Sequence, residues 1–137
     1  MSKEEFLLDM LDYYTVDPEG RRCRGEGMCF YSPETANKPT SEGCAVGRKL
    51  DRSVANAIDK KYPCGLGIRD IMDERFKGIP DYMYDLGYKI IGDCQSLHDV
   101  SENWDFTKMS LSLIGQIEVE TLIKDYNLDK SKFEKYL

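Results

Sequence analysis

Residues 21–52 read RRCRGEGMCFYSPETANKPTSEGCAVGRKLDR, and this stretch decides the fold prediction for the whole chain. Two short runs within it, residues 28–31 and 44–46, are rich in side chains that favour strands. The residues between them are typical of turns and loops. We therefore predict a two-stranded antiparallel hairpin with a connection of about a dozen residues. Cys29 and Cys44 would be cross-strand neighbours in it.

The segments on either side of this stretch carry helical patterns. Apolar side chains recur at helical spacing in residues 3–14, after a Ser2–Glu5 capping box. A hairpin alone is marginally stable, so helices must cover one of its faces. Further helices are predicted over residues 50–61, 68–76, 81–86 and 89–100, and from Ser110 or Ser112 to Tyr126.

These elements predict an α+β fold: a mostly helical single domain over residues 1–137 with one small antiparallel β-hairpin packed on helices. A chain of 137 residues with 41% apolar side chains is long enough to bury one core. The sequence leaves open that residues 129–137 fray. Trp104 is predicted to anchor the core.

Composition indicates a cytoplasmic protein. Its apolar runs are too short to span a bilayer, so we predict no membrane association. The first fourteen residues are acidic and lack the features of a secretion signal. The five cysteines are odd in number and scattered, which favours free thiols in a reducing compartment.

Charge is unevenly distributed along the chain. The net charge is −6, yet residues 20–61 carry nine Lys or Arg against five Asp or Glu. An acidic chain repels nucleic acid, so we predict no general duplex binding. A local basic cluster suits a small anion or an acidic patch on a partner protein. The competing interpretation is that these side chains pair with the acidic helices.

The basic cluster contains the predicted ligand-binding residues. Arginine side chains suit phosphate or carboxylate groups, and nearby glycines, Gly27 among them, allow close approach of backbone N–H groups. Neither a Walker loop nor a GxGxxG motif is present. The predicted set is Arg21, Arg22, Arg24, Arg48, Lys49 and Arg52, with Tyr31 as a stacking surface for a nucleotide-like ligand.

Catalysis and metal binding are the alternatives to binding alone. Cys44, His98 and Asp99 supply the residue types of a thiol hydrolase, although adjacent helical residues such as His98 and Asp99 point about 100° apart. Zinc would accept a set made of Cys29, Cys44, Cys94 and His98. Free cysteine is also a small buried hydrophobe. We predict no catalytic residue and no cofactor, with a zinc- or thiol-dependent hydrolase as the alternative.

Two segments carry a resemblance to a known family. GMCFYSPETANKPTSEGCAVGRKL (27–50) and CQSLHDVSENW (94–104) resemble a family of small phage and prophage proteins. Members show a Cys-x-Tyr segment, a Cys-Ala-Val-Gly segment and a His-Asp pair before a Trp. The resemblance implies an origin in a phage or mobile element, and phage accessory proteins of this size are often counter-defence factors.

These observations together predict a non-enzymatic phage-type binding protein in the bacterial host cytoplasm. It would bind and block a host protein or sequester a small anionic, nucleotide-like ligand, and a homo-oligomer is possible. A structural accessory of the virion is a further alternative.

Overall fold

The computed structural model describes residues 1–25, 28–63, 65 and 67–137. Gly27, one of the glycines of the predicted anion site, and Cys64, one of the five thiols, lie outside the described residues. The described part contains eight α-helices: α1 (Lys3–Tyr14), α2 (Pro18–Arg21), α3 (Pro33–Ala36), α4 (Arg52–Lys61), α5 (Ile68–Asp73), α6 (Asp81–Leu86), α7 (Tyr88–Asp99) and α8 (Leu113–Asp125). The predicted class, α+β and mostly helical, is confirmed.

Helix α1 begins at the predicted capping box. The Ser2 hydroxyl accepts the Glu5 N–H, and the Glu5 carboxylate accepts the Ser2 N–H, so two N–H groups at the helix start are satisfied. Its apolar residues Phe6, Leu7, Met10, Leu11 and Tyr14 are all buried. Local pattern alone was sufficient to predict this element.

The predicted hairpin pairing is wrong. Strand β1 (Arg24–Gly25) pairs antiparallel with β2 (Met28–Cys29), with Arg24 opposite Cys29. Residues 44–46 do not form a strand; they lead into a 3-10 helix at Gly47–Lys49. Cys29 and Cys44 are therefore not cross-strand neighbours.

A carboxylate from helix α4 explains the error. Asp59 is buried, and its two carboxylate oxygens accept the N–H groups of Tyr31 and Ser32 at 3.0 and 2.8 Å. These N–H groups are consequently not available to a strand ladder. Ser32 then caps α3, which turns the chain away from an extended path.

Helix α7 is central to the helical layer. It packs against α1, α5, α6 and α8. Its inner face buries apolar side chains together with the imidazole of His98, which has no exposed surface. The other buried residues of α7 are Ile90, Ile91, Cys94 and Leu97.

A second hairpin, which the sequence did not predict, connects α7 to α8. Strands β3 (Trp104–Asp105) and β4 (Ser110–Leu111) pair antiparallel, and Trp104 is buried as predicted. A 3-10 turn at Ser101–Asn103 precedes them. Gly115 lets α8 lie against this turn, because a Cβ there would stand 2.0 Å from the Asn103 carbonyl oxygen.

The end of the described chain is packed onto the domain. Lys130–Tyr136 forms a 3-10 helix, and Phe133 within it is completely buried. Lys132 forms an ion pair with Glu4, and Lys135 forms one with Asp12; both carboxylates belong to α1. Residues 129–137, for which the sequence left fraying open, therefore contribute to the core through Phe133. Among the described residues, none of the helices has the length and apolar character needed to cross a bilayer.

Candidate functional site

Two arginines of the basic stretch bind the C-terminal end of α7. Arg22 donates from Nε to the His98 carbonyl and from Nη2 to the Asp99 carbonyl, both at 2.7 Å. Arg24 donates from Nη1 to the same Asp99 carbonyl at 2.8 Å and to the Ser101 hydroxyl at 3.2 Å. The last carbonyls of a helix lack intrahelical donors and carry its negative dipole end. Both guanidinium groups are thereby fixed in place.

A cleft of about 250 Å³ opens beside this arrangement. It is lined by Arg22, Arg24, Lys38, Glu19 and Phe106. The Arg22 guanidinium lies 5.7 Å from the centroid of the Phe106 ring, which is 40% exposed. The lining therefore combines three cationic groups, one carboxylate and an accessible aromatic face.

The positive charges of Arg22 and Lys38 are not neutralised by ion pairs among the described residues. Arg22 is only 5% exposed, and its bonds are to neutral carbonyl oxygens. Within the described part of the chain, neither Arg22 nor Lys38 forms a salt bridge with a carboxylate. Burial lowers the pKa of Arg22 from its ordinary value, yet arginine remains charged in proteins. Asp99 acts on Arg22 through space and Glu19 lines the cleft, but neither carboxylate forms an ion pair with Arg22, so its guanidinium is able to bind an anion directly.

The other predicted cations of the basic stretch lie elsewhere. Arg48 donates to the Asp9 carboxylate at 2.7 Å, and Lys49 binds the same oxygen. Arg21 donates to the Tyr13 carbonyl and lies 4.6 Å from the centroid of that ring. These three side chains attach the basic stretch to α1, which is the competing interpretation from the sequence.

Arg52 and Tyr31 are also separated from the cleft. Arg52 forms an exposed ion pair with Glu34 at 2.7 Å, in a neighbouring hollow that Lys38 also lines. Tyr31 is 7% exposed, and burial raises the pKa of its hydroxyl. The core encloses the Tyr31 ring, so the accessible aromatic face at the cleft is that of Phe106.

His98 and Asp99 do contact each other, contrary to the sequence prediction. His98 Nδ1 lies 2.6 Å from Asp99 Oδ1. Asp99 is the last residue of α7, so its side chain can fold back along the helix end. His98 Nε2 accepts the Cys23 N–H at 3.2 Å, which places the ring proton on Nδ1. Complete burial lowers the pKa of His98, so the imidazole is neutral and both nitrogens are satisfied.

The thiol beside this pair belongs to Cys29 and not to Cys44. The Cys44 sulfur accepts the Gly47 N–H at 3.2 Å, and burial raises its pKa well above the ordinary value. Burial likewise raises the pKa of Cys29 to about 12, with Asp99 adding to the effect. Both thiols are protonated at neutral pH, and a thiol nucleophile acts as the thiolate. The set Cys44, His98 and Asp99 is therefore not arranged as an activated nucleophile.

Cys29, His98 and Asp99 place one ligand atom each within 4.8 Å of one another. The zinc set predicted from the sequence differs, because Cys44 and Cys94 are core thiols; burial raises the pKa of Cys94 to about 12. Ligand atoms of tetrahedral zinc stand about 3.3 Å apart. The 2.6 Å between His98 and Asp99 is a hydrogen-bond distance, and both imidazole nitrogens already have partners. In the structure the cluster is a hydrogen-bonded network.

The two segments that carry the phage-family resemblance meet around this network. The Tyr14 ring lies 4.7 Å from the His98 ring and 6.1 Å from the Trp104 ring, and the Tyr14 hydroxyl donates to the Gly43 carbonyl. We call Tyr14, Cys23, His98, Asp99 and Trp104 the His98 centre. Gln95 on α7 accepts the Val46 N–H at 3.1 Å. These contacts hold the two segments against each other and against α1.

Comparison with protein-family models, with curated proteins and with solved structures gives no match for this chain.

Proposed function

We propose that this chain is a non-enzymatic binding protein whose cleft at Arg22, Lys38 and Phe106 takes a small phosphorylated, nucleotide-like ligand. One observation carries the proposal. Arg22 is a buried cation, held by carbonyl oxygens, that faces an open cleft without a carboxylate partner among the described residues. An anion bound there would form the direct ion pair that Arg22 does not make with those residues.

The cleft is organised in advance for such a ligand. The carbonyl bonds use Nε and Nη2 of Arg22, and no bond from its Nη1 to the described residues is found. A fixed guanidinium loses little conformational freedom when an anion binds. Lys38 adds a second, compact charge.

The size and the aromatic wall narrow the ligand class. A volume of about 250 Å³ is just below the range of about 300–1,000 Å³ that is typical of ligand sites, so the cleft suits a small ligand such as one phosphate with a flat ring beside it. The exposed face of Phe106 provides a stacking surface for such a ring. In a phage setting, which the family resemblance implies, sequestration of a nucleotide-like signal would act as counter-defence in the host cytoplasm.

Titration calorimetry with inorganic phosphate, AMP and cyclic nucleotides tests this function, at low and high salt. We expect binding of at least one phosphorylated ring compound, weakening as salt rises because exposed charges are screened. Lys38→Ala should weaken it about tenfold, consistent with the loss of one charge-assisted bond. Phe106→Ala should weaken the binding of nucleotides and leave the binding of inorganic phosphate unchanged.

Lys60→Ala is the matched control, because Lys60 is an exposed lysine on α4 away from the cleft lining. The affinity of Lys60→Ala for each phosphorylated compound should equal that of the unmodified protein. The absence of binding by every phosphorylated compound, or equal affinities for Lys38→Ala and Lys60→Ala, would contradict the proposal.

A further inference from the structure

Helix α8 exposes a stripe of large aliphatic side chains. Leu113 is 78% exposed, Ile114 is 52% exposed and Ile117 is 61% exposed. At 100° per residue these three side chains span one continuous arc of the helix surface. The opposite arc buries Val119, Leu122 and Ile123 in the core. Contiguous exposed apolar surface rimmed by polar residues is typical of interaction sites.

The stripe borders a groove between α7 and α8. The groove has a volume of about 330 Å³, and Leu97 and Leu122 form its apolar floor. Ile114 joins it from α8, and Val100, which is 44% exposed, joins it just after the end of α7. The stripe and the groove together form one apolar surface.

The rim of this groove is acidic. Asp93, Glu118 and Asp125 line it, and none of the described residues in its lining is Lys, Arg or His. Asp93 accepts a hydrogen bond from the Tyr126 hydroxyl, while Glu118 and Asp125 form no salt bridge within the described part of the chain. An apolar floor between carboxylates is complementary to an apolar helix face flanked by lysines and arginines.

We propose that this surface docks a basic amphipathic helix of a partner protein. From Ile114 to Asp125 the groove extends about 16 Å along α8, which matches a partner segment of about three turns. Apolar residues spaced i, i+3, i+4 and i+7 would reach the floor, and basic residues would reach the three carboxylates. This proposal does not depend on the anion cleft, which other residues line.

The negative charge of the groove rim also disfavours other molecules that could cover this surface. Two copies of the chain pairing through this face would bring carboxylates against carboxylates, which opposes association. An anionic lipid surface would be repelled for the same reason. A basic helix is the occupant that the rim favours.

The test uses the full chain and a fluorescently labelled 18-residue helical peptide of Leu and Lys, with Leu at the i, i+3, i+4 and i+7 positions. A peptide of the same pattern with Glu in place of Lys is its control. Anisotropy should show binding of the Lys peptide that weakens with salt, and at least tenfold weaker binding of the Glu peptide. Equal binding of both peptides would overturn the proposal.

Two variants locate the binding. We expect Ile114→Ser to weaken binding of the Lys peptide about tenfold or more. The double change Glu118→Lys with Asp125→Lys should have an effect of the same size. Glu120→Lys makes half of this charge change, on α8 but outside the groove lining, and its affinity for the Lys peptide should stay within threefold of that of the unmodified protein. Circular dichroism confirms that each variant is folded. Unchanged affinity in the groove variants overturns the proposal.

Light scattering and vesicle sedimentation examine the other occupants. We expect a monomer in light scattering, and no sedimentation with vesicles of anionic or zwitterionic lipid. A dimer that Ile114→Ser dissociates would assign the surface to a second copy of this chain. Vesicle binding lost in the same variant would assign it to a membrane. Either result overturns the basic-helix proposal.

Discussion

The His98 centre and the surfaces around it use similar residue types in opposite ways. In the centre, His98 has a partner at each ring nitrogen, and Asp99 accepts from His98 and Gln95. At the surfaces, Arg22 faces a cleft without a carboxylate partner in the described chain, and Leu113 faces solvent. The difference teaches that a histidine, a cysteine or an arginine indicates function only where its partners leave its chemistry unsatisfied.

The largest expected effect comes from removing the imidazole of the centre. His98→Ala should lower the free energy of unfolding by about 3–5 kcal/mol, because it leaves a cavity and an unpaired Cys23 N–H and removes one donor to the Asp99 carboxylate. Urea denaturation measures this. His98→Asn retains a hydrogen-bond donor for Asp99, so its free energy of unfolding should fall less than that of His98→Ala. A loss below 1 kcal/mol for His98→Ala would show that the centre is not structural.

Two leucines on one helix give the next contrast. Leu122→Ala should cost about 3 kcal/mol, because Leu122 is 6% exposed. Leu113→Ala should change stability by less than 0.5 kcal/mol, because Leu113 is mostly exposed. The same denaturation experiment compares them. Equal losses at the two positions would mean that the exposed stripe of α8 is part of the core.

Lowering the pH should reduce the stability of the protein first through the His98 centre. The pKa of His98 is lowered by burial, so below its unfolded value of about 6.5 the unfolded chain binds a proton that the folded chain does not. Stability should then fall by about 1.4 kcal/mol per pH unit until the folded pKa is reached. His98→Asn should remove this slope in the pH range just below 6.5. A slope that persists in the variant would assign the effect to other groups.

The smallest effects come from the outer arginines. Arg48 binds Asp9 and lies 4.0 Å from the centroid of the Tyr13 ring, so Arg48→Ala should cost about 1 kcal/mol. Arg52 forms an exposed pair with Glu34, so Arg52→Ala should cost less than 0.5 kcal/mol. Thermal unfolding at matched pH compares them. A larger loss for Arg52→Ala would reverse this ranking.

The local sequence pattern was sufficient to predict most helices, but it was not sufficient to predict the pairing of the hairpin. Helices α1, α6 and α7 lie where capping residues and apolar spacing placed them, within one residue at each end. The pairing of residues 28–31 with 44–46 was wrong because Asp59, 27 residues after Ser32, takes the N–H groups that a ladder requires. No property of residues 28–46 alone indicates that partner.

The candidate site was predicted only in part. The sequence indicated Arg22 and Arg24, but Lys38 and Phe106 reach the cleft from separate loops, through contacts that residue spacing does not encode. The α8 stripe was missed because that helix is apolar on several sides. Periodicity in such a helix cannot distinguish the side that faces the core from the side that faces solvent.

The bond from Cys23 to His98 also has a kinetic consequence, since it joins residues 75 apart. Closing a loop of that length costs roughly 2–3 kcal/mol more entropy than closing one helical turn. We therefore expect the helices to form early and the His98 centre to form late in folding. Substitutions there should speed unfolding more than they slow folding, and stopped-flow measurements on His98→Asn would detect a refolding rate close to that of the unmodified chain.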